Sequence, residues 1–290
     1  MIGVILAGGT GSRLWPLTKV VSKQLLPIHD KPMIYYPLTT LMLAGIRRIL
    51  VITNPNYIDQ YFKLLGDGSQ WGIEIEFIIQ EEALGIADAF NLVPKIYHEQ
   101  NCALILGDNL LYGVGLGSSL INIYSNTGAL AFAYKVSNPS SYGVVELSNN
   151  GMPVSIEEKP KKPKSSLAIP GVYFFDSSVY KKVKKLQPSK RGELEITDLL
   201  IEYLKENQLR INVLERGIAW LDTGTPDDLV SASEFVRVIE KRQGLKIGSP
   251  EEVAFRLKFI KKDHFQKTVK LMPEGSYKDY LTNLLVQLLG

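Results

Sequence analysis

A single cysteine in 290 residues, Cys102, rules out an internal disulfide, and its apolar neighbours suit a buried thiol better than a reactive one. The three histidines, His29, His98 and His264, stand too far apart for metal-type spacing, which argues against zinc. No apolar run reaches the length of a membrane span, and the apolar start is too short for a signal peptide. The expectation is therefore a cytoplasmic protein. Neither charge sign dominates: the net charge is +3, and the densest basic cluster, Lys159 to Lys164, is broken by Pro160 and Pro163. No basic stripe interleaved with aromatics is present, so nucleic acid is not an expected partner. The chain has no Gly-Lys pair and hence no Walker loop. No internal repeat appears, which excludes a fused β-helix domain.

What is present begins at the first residues. Ile2–Ala7 is a short apolar strand that runs into Gly8-Gly9-Thr10-Gly11-Ser12-Arg13-Leu14. Glycines let the backbone turn sharply and bring its N–H groups against an anion, and Arg13 adds a fork-shaped cation suited to phosphate oxygens. Ser22-Lys23-Gln24-Leu25-Leu26-Pro27 then places a lysine beyond the loop. The third glycine of a dinucleotide fingerprint is missing, since Leu14 stands in its place. A nucleoside triphosphate is the ligand this segment suits best. A tight turn with an incidental arginine is the plainer alternative for the loop taken alone.

Strand-like and helical patterns alternate through the first half. Ile2–Ala7, Arg48–Thr53, Glu74–Ile79, Ala103–Leu106 and Ala129–Tyr134 read as strands. Met33–Ala44, Ile58–Leu65, Ile86–Tyr97 and Leu116–Tyr124 read as helices. The alternation predicts an α/β fold with a doubly wound, mostly parallel sheet. After Ser137 shorter strands follow at Gly143–Leu147, Val154–Glu157, Ala168–Phe175 and Arg210–Glu215, with helices at Ser177–Lys185 and Thr197–Glu206. From Pro226 helical periodicity dominates, and Leu281, Leu284, Leu285 and Leu288 share one face of the last helix. The predicted organisation is a core over 1–225 and a C-terminal helical segment over 226–290 packed on it.

Ligands of open α/β sheets bind beyond the carboxyl ends of the strands. Gln80, Asp108 and Asp222 each follow a strand-like run, so they are expected to converge there. Two carboxylates from remote segments are natural ligands for Mg²⁺, which prefers oxygen donors and also binds substrate phosphates.

At this point the motifs become familiar. Leu6 to Leu14, Ser22 to Pro27, Lys31 to Pro37 and Leu64 to Gly68 are followed by Leu106 to Asn109, Tyr142 to Glu146 and Glu157 to Pro160. Arg191 to Asp198 and Ala219 to Thr225 complete the series. In this order the chain resembles the sugar-phosphate nucleotidyltransferases. The resemblance implies in-line attack of glucose 1-phosphate on the α-phosphorus of dTTP, with release of pyrophosphate. It implies that Arg13 and the loop amides hold the triphosphate, that Lys23 contacts phosphate oxygens during transfer, and that Asp108 and Asp222 hold Mg²⁺. It assigns nucleotide contacts to Leu6, Gly8, Gly11, Gln80 and Gly85, and sugar-phosphate contacts to Gly143, Glu158, Lys159, Tyr173 and Trp220. It also implies a homotetramer built as a dimer of dimers.

The chain departs from the family pattern at four places. Val114-Gly115 stands where thymidylyl-transferring members carry His-Asp, near the family's inhibitory site. Pro170 replaces a usual threonine, Pro226 a common histidine, and Glu81-Glu82-Ala83-Leu84 a Pro-Ser-Pro-Asp stretch beside the expected base pocket. Use of UTP, a non-catalytic sugar-nucleotide regulator and a nicotinamide-dependent dehydrogenase are the rival readings. The four charged groups Arg13, Lys23, Asp108 and Asp222 speak against the regulator, and the missing glycine against the dehydrogenase.

Overall fold

The computed structural model describes residues 1–117, 120 and 127–287. The helix expected over 116–124 lies largely outside these residues, as does Leu288. The strands expected in the first part form: β1 (Ile2–Ala7), β4 (Arg48–Thr53), β5 (Glu74–Ile79) and β6 (Cys102–Leu106), while the short pair β2 (Pro27–Ile28) and β3 (Lys31–Pro32) lies between β1 and β4 without having been expected. β7 (Asn109–Tyr112), β8 (Ala129–Lys135), β9 (Gly143–Leu147), β10 (Pro153–Glu158), β11 (Leu167–Ala168) and β12 (Val172–Phe175) follow. The last two are β13 (Leu209–Val213) and β14 (Ala219–Asp222).

The central sheet runs β10-β9-β11-β8-β12-β6-β1-β4-β5, with β13 beside β8. Its parallel half is β6-β1-β4-β5, whose apolar residues point to both faces because helices cover each side. Ile5, Ile49 and Val51 face one core with Leu38 and Leu41, while Ile2, Val4, Leu50 and Ile52 face another with Phe90 and Tyr203. The other half is mixed, with β12 antiparallel to both β6 and β8.

Two expected elements break where proline stands. The helix expected over Ile86–Tyr97 is only a turn, α3 (Ala89–Leu92), followed by a separate 3₁₀ turn at Lys95–Tyr97. Pro94 cannot donate to a helix ladder and forces Val93 to an extended ψ of 127°. The strand expected over Ala168–Phe175 is split into β11 and β12 at Pro170-Gly171. The earlier helices α1 (Tyr35–Leu43) and α2 (Ile58–Leu65) lie within the expected spans. α4 (Val179–Lys182) and α5 (Ile196–Lys205) follow β12.

The C-terminal helices are α6 (Pro226–Gln243), α7 (Pro250–Arg256), α8 (Lys262–Leu271) and α9 (Ser276–Gln287). α6 starts sharply because Thr225 and Asp228 form a capping box around Pro226, and it stops at Gly244 in the left-handed region. Ala254, Phe265, Leu281 and Leu284 join the same core as the sheet, so the apolar interior is continuous across residue 225.

A buried ion network ties this segment to the β2–β3 hairpin. Lys31 and Lys246 each pair with Asp30 and with Glu240, the Glu240 contacts both being 2.8 Å, and the Ile247 N–H also donates to Glu240. The Glu240 and Lys31 side chains are only 4% and 2% exposed. Removing one partner of such a pair strands a buried charge. Glu240→Ala is expected to destabilise the protein by about 3–5 kcal/mol, read as a lowered denaturation midpoint in urea.

Candidate active site

β1 ends at Ala7 beside β4 and β6, and the glycine loop leaves the sheet at that edge. Gly11 has φ 61°, and a Cβ there would come within 2.8 Å of Thr18. Thr18 in turn donates to the Gly11 carbonyl at 2.9 Å, which holds the loop folded over. At Gly8 a Cβ would stand 2.2 Å from the Gln80 Oε1, so the carboxamide of Gln80 lies directly against the bare backbone. Gln80 is itself buried. Leu6 and Gly107 meet where the Gly107 N–H donates to the Leu6 carbonyl at 2.9 Å.

The two aspartates come together through a pairing that has no local signal. β7 and β14 form a separate antiparallel ribbon in which Asp222 is opposite Asn109, so Asp108 and Asp222 sit at the same end. Lys23 reaches Asp108 Oδ2 at 2.5 Å, and Asn109 Nδ2 donates to Asp108 Oδ1 at 3.0 Å. Tyr142 donates to Asp222 Oδ1 at 3.3 Å. Burial raises the Asp222 pKa above its usual range, and the neighbouring Asp228 and Asp108 carboxylates raise it further. The same burial, reinforced by Asp222, pushes the Tyr142 phenol up to about 12. Carboxylates crowded this way favour a cation between them. An oxygen-only donor set fits a hard divalent ion such as Mg²⁺, so the residues present fit such a group.

Two cavities meet at this point. One, of 240 Å³, is walled by Gly9, Gly11, Lys23 and Gln24. The other, of 450 Å³, is walled by Gly143, Glu158, Lys159, Tyr173, Trp220 and Asp222. Arg13 and Asp108 line both. Arg13 packs against Gly224, where a Cβ would lie 3.1 Å from its guanidinium.

Each wall of the larger cavity has a local cause. Gly143 leaves room that a Cβ would take from Thr197 (2.9 Å) and from the Glu158 carboxylate (3.3 Å). Lys159 is one of few non-glycine residues at positive φ, 42°, which turns the chain between Glu158 and Pro160. Trp220 is fixed by its indole N–H, which donates to Asn109 Oδ1 at 2.6 Å, and by edge-on contact with Tyr142 at 5.1 Å. Burial pushes the Tyr173 phenol up, with Glu158 adding to it. Burial also raises the Glu158 pKa, Lys159 opposing and Glu195 assisting.

That shift has a measurable consequence. A carboxylate loses its acceptor character on protonation, and burial places that loss above the ordinary value of 4.5. If Glu158 takes part in turnover as an acceptor, activity is expected to fall on acidification from a pH above 4.5, approaching about tenfold per unit. In Glu158→Gln that limb of the pH profile should be absent.

Gly85 is placed differently from the other expected nucleotide residues. A Cβ there would meet the Leu194 backbone at 2.4 Å, and the flanking bonds Leu194 N–H to Leu84 O (2.7 Å) and Ala87 N–H to Leu194 O (3.1 Å) clip this loop to the 190s segment. Arg191 in that segment approaches Glu158, Glu193 and Glu195. Asn109 and Tyr142, which brace the aspartates, were within recognisable motifs but had no role read for them. The β7–β14 register reveals that of Asn109, and the Tyr142–Asp222 hydrogen bond that of Tyr142.

Two other places attract attention and carry different chemistry. A groove of 490 Å³ between α1 and α7 is mainly apolar, has Gly115 among its lining residues, and is lined by neither Asp108 nor Asp222. His29, Asp30 and Glu240 converge closely enough to suggest a metal site. Lys31 and Lys246 already neutralise those carboxylates, so the cluster is an ion network.

Residues 2–238 match the family model described as nucleotidyl transferase. A protein of Mycolicibacterium smegmatis named glucose-1-phosphate thymidylyltransferase is 52% identical over 285 residues, which cover 98% of this chain and 99% of that protein. A protein of the same name from Neisseria meningitidis is 47% identical over 286 residues, covering 98% and 99%. Among solved structures, a Bacillus anthracis chain with bound sucrose superposes with TM-score 0.75 at 38% identity, covering 82% of this chain and 96% of its own. A UDP-glucose pyrophosphorylase complexed with UDP-glucose gives TM-score 0.69 at 25% identity, covering 83% and 99%.

Proposed function

The chain belongs to the nucleotidyl transferase family, and from that premise we propose that it transfers dTMP from dTTP to glucose 1-phosphate, giving dTDP-glucose and pyrophosphate. The observation that carries the reading is the pair of adjoining cavities with Arg13 and Asp108 common to both. Two polyanions must be held together against their own repulsion, and a guanidinium shared by two pockets, beside a carboxylate suited to a divalent cation, does that.

In this scheme the triphosphate lies along the glycine-loop amides in the smaller cavity, and Gln80 reads the base by donating and accepting at its edge. Glucose 1-phosphate occupies the larger cavity, with Lys159 on its phosphate and Glu158 on its hydroxyls. Trp220 and Tyr173 wall in the sugar ring. Lys23 and Arg13 stand where negative charge grows on the departing pyrophosphate and on the α-phosphoryl oxygens. Asp108 and Asp222 would hold Mg²⁺, which would supply positive charge to offset that of the phosphates. No general base is needed, because the attacking phosphate oxygen is already ionised near neutral pH.

All these groups lie in residues 1–225, the expected core, and the described residues 226–287 are mostly helical and share its apolar interior. The resemblance further supports a cytoplasmic homotetramer. Among the described residues no helix is long and apolar enough to cross a membrane. Sedimentation equilibrium decides the assembly: a mass of four chains supports it and a lone chain removes it.

The reaction is tested by pyrophosphate release with glucose 1-phosphate and Mg²⁺, offering dTTP, UTP, ATP, CTP and GTP separately. Release with dTTP well above the others supports the assignment. Comparable release with UTP widens it to pyrimidine nucleotides. One methyl in an apolar pocket discriminates only about 10–200-fold.

A further inference from the structure

Below the glycine loop, α2 carries a phenol that no step of the reaction uses. Tyr61 is fully buried, yet its hydroxyl lies 2.8 Å from Ser22 Oγ and 3.3 Å from Gln24 Oε1. Ser22 Oγ lies 2.9 Å from the same Gln24 oxygen. The three groups form a closed triangle immediately beneath Lys23, and all are buried.

The contacts of the carboxamide give its orientation. Ser22 Oγ and the Tyr61 hydroxyl both face Gln24 Oε1, and Tyr61 is also hydrogen-bonded to Thr53, which anchors the phenol from its other side. The carbonyl therefore points down onto the two hydroxyls, and the amide nitrogen has no partner among the described residues. Gln24 lines the 240 Å³ cavity with Gly9, Gly11, Arg13, Lys23 and Asp108. Its stem is wedged against Gly107, where a Cβ would come within 2.8 Å of Gln24 Cγ. The turn itself is tied by Leu25 N–H to the Ser22 carbonyl at 2.9 Å and by Ile34 N–H to the Gln24 carbonyl at 2.9 Å.

We propose that Tyr61 is a positioning residue of the nucleotide site: together with Ser22 it locks the Gln24 carboxamide so that its N–H₂ faces the smaller cavity and donates to an oxygen of the bound nucleotide. The inference rests on the assignment of that cavity to the nucleotide. Tyr61 touches no ligand in this arrangement; it acts through Gln24. A phenylalanine at position 61 keeps the ring packing and removes only the hydroxyl.

The test is equilibrium binding of Mg²⁺–dTTP by calorimetry to wild type, Tyr61→Phe, Gln24→Ala and the double variant, with melting temperatures alongside. Loss of one hydrogen bond corresponds to about a fivefold weaker Kd for Tyr61→Phe. The double variant should bind no more weakly than Gln24→Ala alone, because the hydroxyl has nothing left to orient. A purely structural role would instead multiply the two losses. Should Tyr61→Phe fail to fold, Ser22→Ala cuts the same link from the other side and should give the same non-additive pattern with Gln24→Ala. Unchanged dTTP affinity in a folded Tyr61→Phe, or multiplied losses, overturns the inference alone. Absence of dTTP binding by the wild type overturns both it and the reading beneath it.

Discussion

Asp108→Asn abolishes turnover while the protein stays folded: kcat is expected to fall by about 10³-fold or more. Among the described residues Asp108 is the one carboxylate that meets both cavities, and its two oxygens are engaged by Lys23 and Asn109. Asparagine keeps the shape and loses the charge that, in the proposed scheme, would gather the divalent ion. Asp222→Asn should fail equally, since it stands opposite Asn109 on the paired strand. Mn²⁺ binding followed by electron paramagnetic resonance should weaken in both variants. Near-normal turnover of either at limiting Mg²⁺ removes that residue from the metal site.

The two variants should differ in stability. Asp222 has a raised pKa in the folded protein, so between its ordinary and raised values the native state binds more protons than the unfolded chain. Stability then falls as pH climbs through that window and stays lower above it. Neutral asparagine removes the penalty, and metal-free Asp222→Asn is expected to melt no lower than wild type at pH 7. Asp108→Asn forfeits an ion pair with a Lys23 that is 7% exposed, so it should melt lower. A fold that tolerates loss of Asp222 while catalysis does not would mark that carboxylate as retained for chemistry.

Lys23→Met is the second large effect, with kcat reduced about 10²–10³-fold. The methionine nearly matches the stem in length but offers no proton to phosphate oxygens. Lys23 is held by the 3₁₀ turn Lys23–Leu25 with its ammonium on Asp108, at the boundary between the two cavities. A group placed there contributes most when charge moves toward the leaving pyrophosphate. The loss should therefore fall on kcat, with the KM for glucose 1-phosphate changed much less. A rise in KM alone would make Lys23 a ground-state clamp.

Much of the scaffold is legible in the sequence because its signals are local. β1 and β4 coincide with apolar runs and β5 with an apolar-rich one, and the glycine loop is visible as glycines followed by arginine. Breaks at Pro94 and Pro170 were also written locally, but apolar periodicity on both sides outweighed them. The β7–β14 ribbon was not legible. Asn109–Tyr112 is four residues long, and its partner lies more than a hundred positions away. Nothing in either stretch announces their register. Convergence of Asp108 and Asp222 follows from strand ends plus family resemblance, whereas the brace Asn109 needs the pairing and the brace Tyr142 needs the contact between the β9 segment and Asp222. Likewise nothing near Asp30 and Lys31 announces that Glu240 and Lys246 meet them from the far end of the chain. Tyr61 reads as one more apolar residue on a helix face, since its hydroxyl partner lies 39 residues earlier.

The central claim is that two polyanions react directly across the wall formed by Arg13 and Asp108. Its most direct measurement is a ³¹P NMR time course of the purified protein with dTTP, glucose 1-phosphate and Mg²⁺. The expected result is matched loss of the triphosphate and sugar-phosphate signals, with equal growth of a sugar-nucleotide diphosphate and pyrophosphate. Consumption of dTTP at the same rate without glucose 1-phosphate, or no change in either signal, would contradict it.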